Sequence, residues 1–251
     1  MRVQAEHTGE VPEAFDEIAD RYDLMVALNP GYHAHLRRSA RALVDDLDPA
    51  TVDAPLQLVD LGCGSGASTA ALLAEVTRQG VEARILGIDG SAGMLDQARA
   101  KAWPATVTFA QGLAEDTAQV CASAGLEGQL DGVFAAYLLR NVTDRDALLR
   151  ALHDQLRPGG TLVVHEYSVA GRPVSQAIWT MVCRGVVVPL GWLTSRRTRL
   201  YSYLWRSVMD MDPVETVMQR FIDAGFVDVR TRSVQGWQRG IIHTFHGRRP
   251  E

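Results

Sequence analysis

Five short clusters in this chain carry residue types able to do chemistry on a small molecule. The first is Leu58-Val59-Asp60-Leu61-Gly62-Cys63-Gly64-Ser65-Gly66, an apolar run that ends in an acid and alternating glycines. The small-residue segment Ala67-Ser68-Thr69-Ala70-Ala71 follows it and reads as a helix start. Glycine at 62, 64 and 66 leaves the backbone open and admits positive φ at little cost. Such a turn points N–H groups, and the positive helix end, at an anionic part of a ligand. The second cluster is Asp89, which closes Leu86-Gly87-Ile88-Asp89 ahead of Gly90 and Ser91. A carboxylate there can accept both hydroxyls of a ribose, and Met94, one turn on, would lie near the base or simply pack in the core. The remaining clusters are Gln111-Gly112-Leu113-Ala114-Glu115, the stretch from Tyr137 to Asn141, and His165-Glu166-Tyr167.

Two ligands compete for the glycine turn. Gly62, Gly64 and Ala67 satisfy the relaxed G-x-G-x-x-G/A dinucleotide fingerprint, with Asp89 roughly 20 residues further on. Asp60, two residues before the first glycine, favours the other ligand, because its charge suits a cation better than a pyrophosphate. S-adenosylmethionine offers an ammonium and a sulfonium there, with a carboxylate for the turn. The fingerprint also arrives after more than fifty residues, later than a dehydrogenase usually places it.

Alternating elements must position these clusters. Apolar runs at 56–61, 84–88, 107–110, 130–136 and 161–165 read as strands, and 67–79, 91–101, 114–124 and 144–156 as helices. That alternation implies a parallel sheet covered on both faces, with ligands at the carboxyl ends of the strands. Ahead of it, 12–28 and 32–47 read as helices, joined by Asn29-Pro30-Gly31 and followed by a linker marked by Pro49 and Pro55. Behind it come a helical insertion at 168–212, a helix at 214–224, and strands at 226–233 and 240–246 joined through Gln235-Gly236-Trp237. One domain over 1–251 accommodates all of this, with 1–50 as a helical lid.

With 251 residues, 47% of them apolar, and a net charge of −5, the chain has the composition of a soluble globular protein and argues against nucleic-acid binding. The three cysteines, Cys63, Cys121 and Cys183, lack a C-x-x-C spacing and suit reduced thiols. The N-terminus shows no apolar signal region, and Arg184 and Pro189 break the greasy stretch 177–193, so a cytoplasmic location is expected. His33 and His35, two apart on a helix, point in different directions, and no metal site is expected.

The sequence resembles the class I S-adenosylmethionine-dependent methyltransferases. More closely, it resembles the family that C-methylates the ring of ubiquinone and menaquinone precursors. The matches run through most of the chain. Phe15-Asp16-Glu17-Ile18-Ala19-Asp20-Arg21-Tyr22-Asp23 fits that family's F-x-x-[IV]-A-x-x-Y-D start, and Gly31 and His33 fit its next helix. Leu139-Arg140-Asn141-Val142-Thr143-Asp144 fits L-R-N-V-x-D, the most specific of the motifs, and Leu156-Arg157-Pro158-Gly159-Gly160 fits L-[KR]-P-G-G. Tyr201-Ser202-Tyr203-Leu204, Ser207 and Ala224-Gly225-Phe226 fit the family's C-terminal third. The resemblance implies a Rossmann-like, seven-stranded, mostly parallel sheet with the last strand antiparallel and helices on both faces. It also implies that the N-terminal helices and the insertion cover the substrate. One departure is Leu113, where the family usually has an acid or asparagine for the adenine amino group. Glu115, Asp116 or the backbone of Leu113 and Ala114 must then read the base. A second is the segment 117–129, longer than expected for the family.

Methylating a phenolic ring carbon needs electron density at that carbon, which a deprotonated ring hydroxyl supplies. Arg140 is too basic to take the proton, but it can stabilise the phenolate or orient a water, and Asn141 can bond the same oxygen. The bland alternative pairs Arg140 with an acid and uses Asn141 to cap a turn. His165 could accept a proton near neutral pH or sit buried and satisfied, and Tyr22 is a candidate lid over the cofactor. The expected cofactor-binding set is thus Tyr22, Asp60, Gly62, Gly64, Gly66, Asp89, Gly90, Met94, Gly112, Leu113, Ala114 and Tyr137, and the catalytic set Arg140, Asn141 and His165. The expected substrate is a small hydrophobic aromatic molecule. Trp179, Met181, Trp192 and Leu193 could line a prenyl-tail pocket, pack in the core or form a homodimer contact. Arg196, Arg197 and Arg199 read first as a solvated face, with contact to anionic lipid as the alternative. Competing functions are O- or N-methylation of a natural product and, further off, a dinucleotide oxidoreductase or a binding module without activity.

Overall fold

Leu56–Leu61 (β1) is an inner strand, buried along nearly its whole length because both of its faces are covered. The computed structural model describes residues 31–47, 55–126, 129–187 and 199–251. The helix expected at 12–28, Tyr22 within it, Pro49, and Trp192 to Arg197 lie outside those residues.

The described chain runs α1 (Tyr32–Val44), β1, α2 (Ala67–Gln79), β2 (Ala83–Asp89), α3 (Ala92–Arg99), β3 (Val107–Gln111), α4 (Thr117–Ser123), β4 (Leu130–Ala136), α5 (Arg145–Gln155) and β5 (Leu156–Tyr167). It continues through α6 (Pro173–Val182), α7 (Arg199–Met209), α8 (Val214–Asp223), β6 (Val227–Ser233) and β7 (Ile242–Arg248). The strands form one seven-stranded sheet in the order β3-β2-β1-β4-β5-β7-β6. β1, β2, β3, β4 and β5 pair in parallel, and β7 inserts antiparallel between β5 and β6. Strand order reverses between β1 and β4, which opens a crevice at their carboxyl ends.

Side chains of alternate sign of pleat separate two cores. Leu58, Phe134 and Val163 face α1, α2, α6 and α7 through Leu36, Leu72, Trp179 and Val208. Val59, Val133 and Leu162 face α5 and α8 through Leu149, Leu152, Val217 and Phe221. These are the helical stripes and two-sided strands that the apolar spacing dictates.

Element boundaries differ from expectation at several points. α1 starts at Tyr32 as expected, behind the N-cap Gly31 with its φ of 91°, but ends at Val44 rather than 47. The helix expected over 114–124 is a 3-10 turn at Ala114–Asp116 followed by α4, because Thr117 turns its hydroxyl onto the Ala114 carbonyl at 2.6 Å. The Leu156–Gly160 segment is not a free turn but the irregular first part of β5, where Leu130 pairs with Leu156 and then Gly132 with Thr161. Asp131 holds it there, accepting from Arg157 Nε at 2.5 Å and from the Gln57 amide at 2.7 Å.

Candidate active site

The crevice at the β1–β4 reversal is bounded by Gly62, Gly64, Asp89, Gly90, Met94, Gly112, Leu113, Ala114, Tyr137, Arg140 and Asn141. Residues separated by nearly eighty positions thus meet at one place because parallel strands deliver their carboxyl ends side by side. Sequence reasoning missed the apolar rim formed by Leu61, Ile88, Ala136, Leu138 and Val142. Its only signal was position, each lying at or just beyond a strand end.

The glycine turn works differently from the expectation. Gly62, Gly64 and Gly66 do take positive φ, at 74°, 54° and 89°. Their N–H groups, however, are already engaged within the protein: Gly62 donates to the Ile88 carbonyl of β2 at 2.8 Å, Gly64 to Asp89 Oδ2 at 2.8 Å and Gly66 to the Cys63 carbonyl within the turn at 2.9 Å. The glycines therefore matter for the side chains they lack. A Cβ on Gly62 would stand 3.0 Å from Leu138, and one on Gly64 would stand 3.1 Å from Met94 Cε. That cradle, backed by a carboxylate, fits a nucleoside-like cofactor that must approach the backbone closely.

Asp89 is braced for this: Oδ1 accepts from the Ser91 amide at 2.9 Å while Oδ2 accepts from Gly64. Ser91 also caps α3, accepting from the Met94 amide at 3.1 Å. Asp60, by contrast, is fully buried behind the turn and does not line the crevice. Its Oδ2 accepts from Ser68 Oγ at 2.7 Å and Thr69 Oγ1 at 2.6 Å, tying β1 to the first turn of α2. Burial pushes its pKa up to about 7, the two hydroxyls oppose that rise, and the Asp89 charge adds to it. Gly66 likewise sits outside the crevice, against Trp103. Leu113 is half exposed at the rim; Glu115 lines the crevice with it, whereas Asp116 borders a neighbouring hollow.

The far wall is the 3-10 turn Leu139–Asn141 after β4. Arg140 is held there by Glu166, a fully buried acid on β5. Its Nη1 donates to Oε1 at 2.9 Å and its backbone N–H to Oε2 at 3.2 Å. The guanidinium lies 5.9 Å from the Tyr137 ring centre and 5.6 Å from that of Tyr167. Behind the turn, Arg145 donates to the carbonyls of Leu139 and Arg140 at 3.0 and 3.3 Å and pairs with Asp212 at 2.9 Å. Asn141 accepts at Oδ1 from the Tyr203 hydroxyl of α7 at 3.0 Å. Glu166 and Tyr203 stood in the sequence only as members of a cluster and a motif, with no role given to either, because nothing in spacing announces a partner 26 or 62 residues away.

Tyr137 adopts a φ of 58°, uncommon for a tyrosine and concentrated at functional sites in general. Its hydroxyl meets His165 Nε2 at 3.2 Å, and His165 Nδ1 meets Thr244 Oγ1 at 3.0 Å. His165 is completely buried, lies outside the crevice, and burial lowers its pKa to about 3, with His35 and His243 adding to that. Of the two expected readings of His165, its burial and its two partners match the satisfied imidazole beneath Tyr137. No group of side chains able to hold a metal ion occurs among the described residues.

The model of the ubiE/COQ5 methyltransferase family matches residues 1–248 of the chain. The chain is 28% identical over 224 residues to the ubiquinone/menaquinone biosynthesis C-methyltransferase UbiE of Shewanella frigidimarina, covering 87% of this chain and 83% of that protein. It is 30% identical over 216 residues to the demethylmenaquinone methyltransferase of Lactiplantibacillus plantarum, covering 86% of each. Among solved structures, the plantazolicin methyltransferase BamL, in complex with a substrate analogue and S-adenosylhomocysteine, shares the fold with a TM-score of 0.66 at 13% identity, over 100% of this chain and 96% of that one.

Proposed function

The chain belongs to the ubiE/COQ5 methyltransferase family, and from that premise we propose that it C-methylates a hydrophobic phenol or quinol, such as a demethylmenaquinol-like acceptor, in quinone biosynthesis. It is an S-adenosylmethionine-dependent methyltransferase. The dinucleotide reading of the glycine turn gives way to the methyl donor. The observation that carries the acceptor reading is the placement of Arg140 and Asn141 on the wall opposite Asp89 and Gly64 in one crevice.

S-adenosylmethionine, when bound, supplies an activated methyl group for direct transfer, so proximity and alignment carry most of the rate. On this chain, Asp89 takes the ribose hydroxyls, and Gly62 and Gly64 admit the methionine end by their lack of side chains. Gly90, Met94, Gly112, Leu113 and Ala114 enclose the base, and Glu115, which lines the same crevice, replaces the contact that leucine lacks. Asp60 and Gly66 act from behind, holding the turn. Arg140 and Asn141 hold the acceptor's ring oxygen and stabilise negative charge on it. Tyr137 and Tyr167 keep the guanidinium aimed and exclude water.

A second reading, O- or N-methylation of a natural product, draws support from Leu113. No helix among the described residues is long and apolar enough to cross a membrane. A cytoplasmic protein that meets its acceptor at the membrane surface, through Arg196, Arg197 and Arg199, belongs to this proposal, as does a homodimer.

Incubation with labelled methyl donor and demethylmenaquinol, followed by identification of the methylated position, tests the reading. Ring-carbon methylation is expected; methylation only of another phenol, or at oxygen or nitrogen, would remove the quinone role.

A further inference from the structure

We propose that Tyr203 is a positioning residue that fixes Asn141 as a hydrogen-bond donor toward the crevice, so that the site takes a ring oxygen and rejects a ring amine. The proposal deepens the reading that Arg140 and Asn141 face the methyl acceptor, and rests on it.

An asparagine amide is ambiguous by itself, since one end accepts, the other donates, and a half-turn exchanges them. Here one orientation is favoured. The Tyr203 hydroxyl reaches across from α7 and donates to Asn141 Oδ1 at 3.0 Å. Burial raises the pKa of that hydroxyl, with Glu166 adding to the rise and Arg140 and Arg145 opposing it, so it keeps its proton to donate. Among the described residues the hydroxyl has no second acceptor, and turning the amide round would strand its proton at a cost. Asn141 lines the crevice, and Nδ2 has no described partner, so the amide hydrogens are what it can offer a ligand. Arg140 beside it is a donor only.

Asn141 on this wall therefore presents hydrogens, beside an Arg140 guanidinium that Glu166 already holds. A phenol, phenolate or quinone oxygen brings lone pairs to meet them. An aromatic amine brings hydrogens of its own and a lone pair partly withdrawn into the ring, so its donors go unpaired. Tyr203 comes from the 168–212 cover, so the element that closes over the acceptor also sets which acceptor chemistry is allowed.

Calorimetric titration of the protein saturated with S-adenosylhomocysteine, using 1-naphthol and 1-naphthylamine as ring probes, reads this preference without turnover. The unmodified protein should bind the naphthol ~10-fold more tightly. Tyr203→Phe, which removes one oxygen, should bring the ratio of affinities close to one. Asn141→Ala should do the same, and adding Tyr203→Phe to it should change nothing more, because the hydroxyl acts through the amide. A ratio of affinities does not move with a general loss of folded protein. Equal binding of the two probes by the unmodified protein overturns the proposal, as does a Tyr203→Phe ratio left unchanged or an equal effect in the absence of Asn141. Preserved naphthol affinity in both Arg140→Ala and Asn141→Ala would instead place the acceptor elsewhere and remove the underlying reading itself.

Discussion

Glu166 grips Arg140 at both ends, taking its guanidinium at 2.9 Å on one carboxylate oxygen and its backbone N–H at 3.2 Å on the other. The acid is fully buried and also accepts from the Tyr167 amide at 2.9 Å, so strand β5 dictates where the 3-10 turn after β4 can sit. A buried pair is costly to break because one charge is left uncompensated. Glu166→Ala should therefore lower stability by about 3–5 kcal/mol in urea unfolding. Arg140→Ala should cut turnover by ~10²–10³-fold while S-adenosylhomocysteine affinity, measured by calorimetry, stays the same. Undiminished turnover would dissolve the role given to Arg140.

Asp89 provides the contrast, because it faces the cofactor side of the same crevice. Asp89→Ala removes the acceptor for the Gly64 and Ser91 amides as well as for a ribose. Its effect should fall on cofactor affinity, by ~10–100-fold for lost charge-assisted bonds. Calorimetry with S-adenosylhomocysteine checks this, and an affinity within twofold of the unmodified protein counts against it.

The Asp60 carboxyl has a folded pKa of about 7 against an ordinary value of 3.8, because it is buried. Folding therefore takes up a proton between those values, and the stability this contributes is full below about pH 4 and lost as pH rises through about 7. Asp60→Asn keeps an acceptor for Ser68 and Thr69 without the charge. At about pH 8 it should be more stable than the parent by on the order of a few kcal/mol, the gain vanishing toward about pH 4. Urea titrations across that range decide it; a gain that does not depend on pH would point to packing instead.

His165 slopes the other way. Its folded pKa of about 3 lies below the ordinary 6.5, so the stability of the neutral form is full above about pH 6.5 and lost as pH falls toward 3. His165→Gln should flatten the decline below about pH 6.5 and leave the acidic limb of the turnover profile in place. A limb that moves with this substitution would restore the imidazole to proton transfer.

Much of the layout was legible because it is local. Leu58 to Leu61 followed by alternating glycines needs no partner to read as strand and turn, and the period-two and period-3.6 apolar patterns placed the sheet and its covering helices. Strand ends were less certain by a residue or two, since pairing partners decide them: β7 begins at Ile242, not 240, where it meets Tyr167. The surroundings of Asp60 and the choice between the two readings of His165 were illegible for one reason. A polar residue at a strand end points either into the crevice or into the sheet's covered face, and the sequence does not say which.

By itself, then, the sequence determined the order of elements, the glycine turn with Asp89, and the specific Leu139 to Asp144 block, all features of neighbouring residues. Only the tertiary structure decided that the glycine N–H groups are spent on β2 and within the turn, that Asp60 and His165 are buried beneath the crevice, and that Glu166 and Tyr203 hold Arg140 and Asn141 at its wall. Those relations join residues on different elements. They depend on burial and on which side chains the closed sheet brings within hydrogen-bond distance, and no spacing along the chain encodes that.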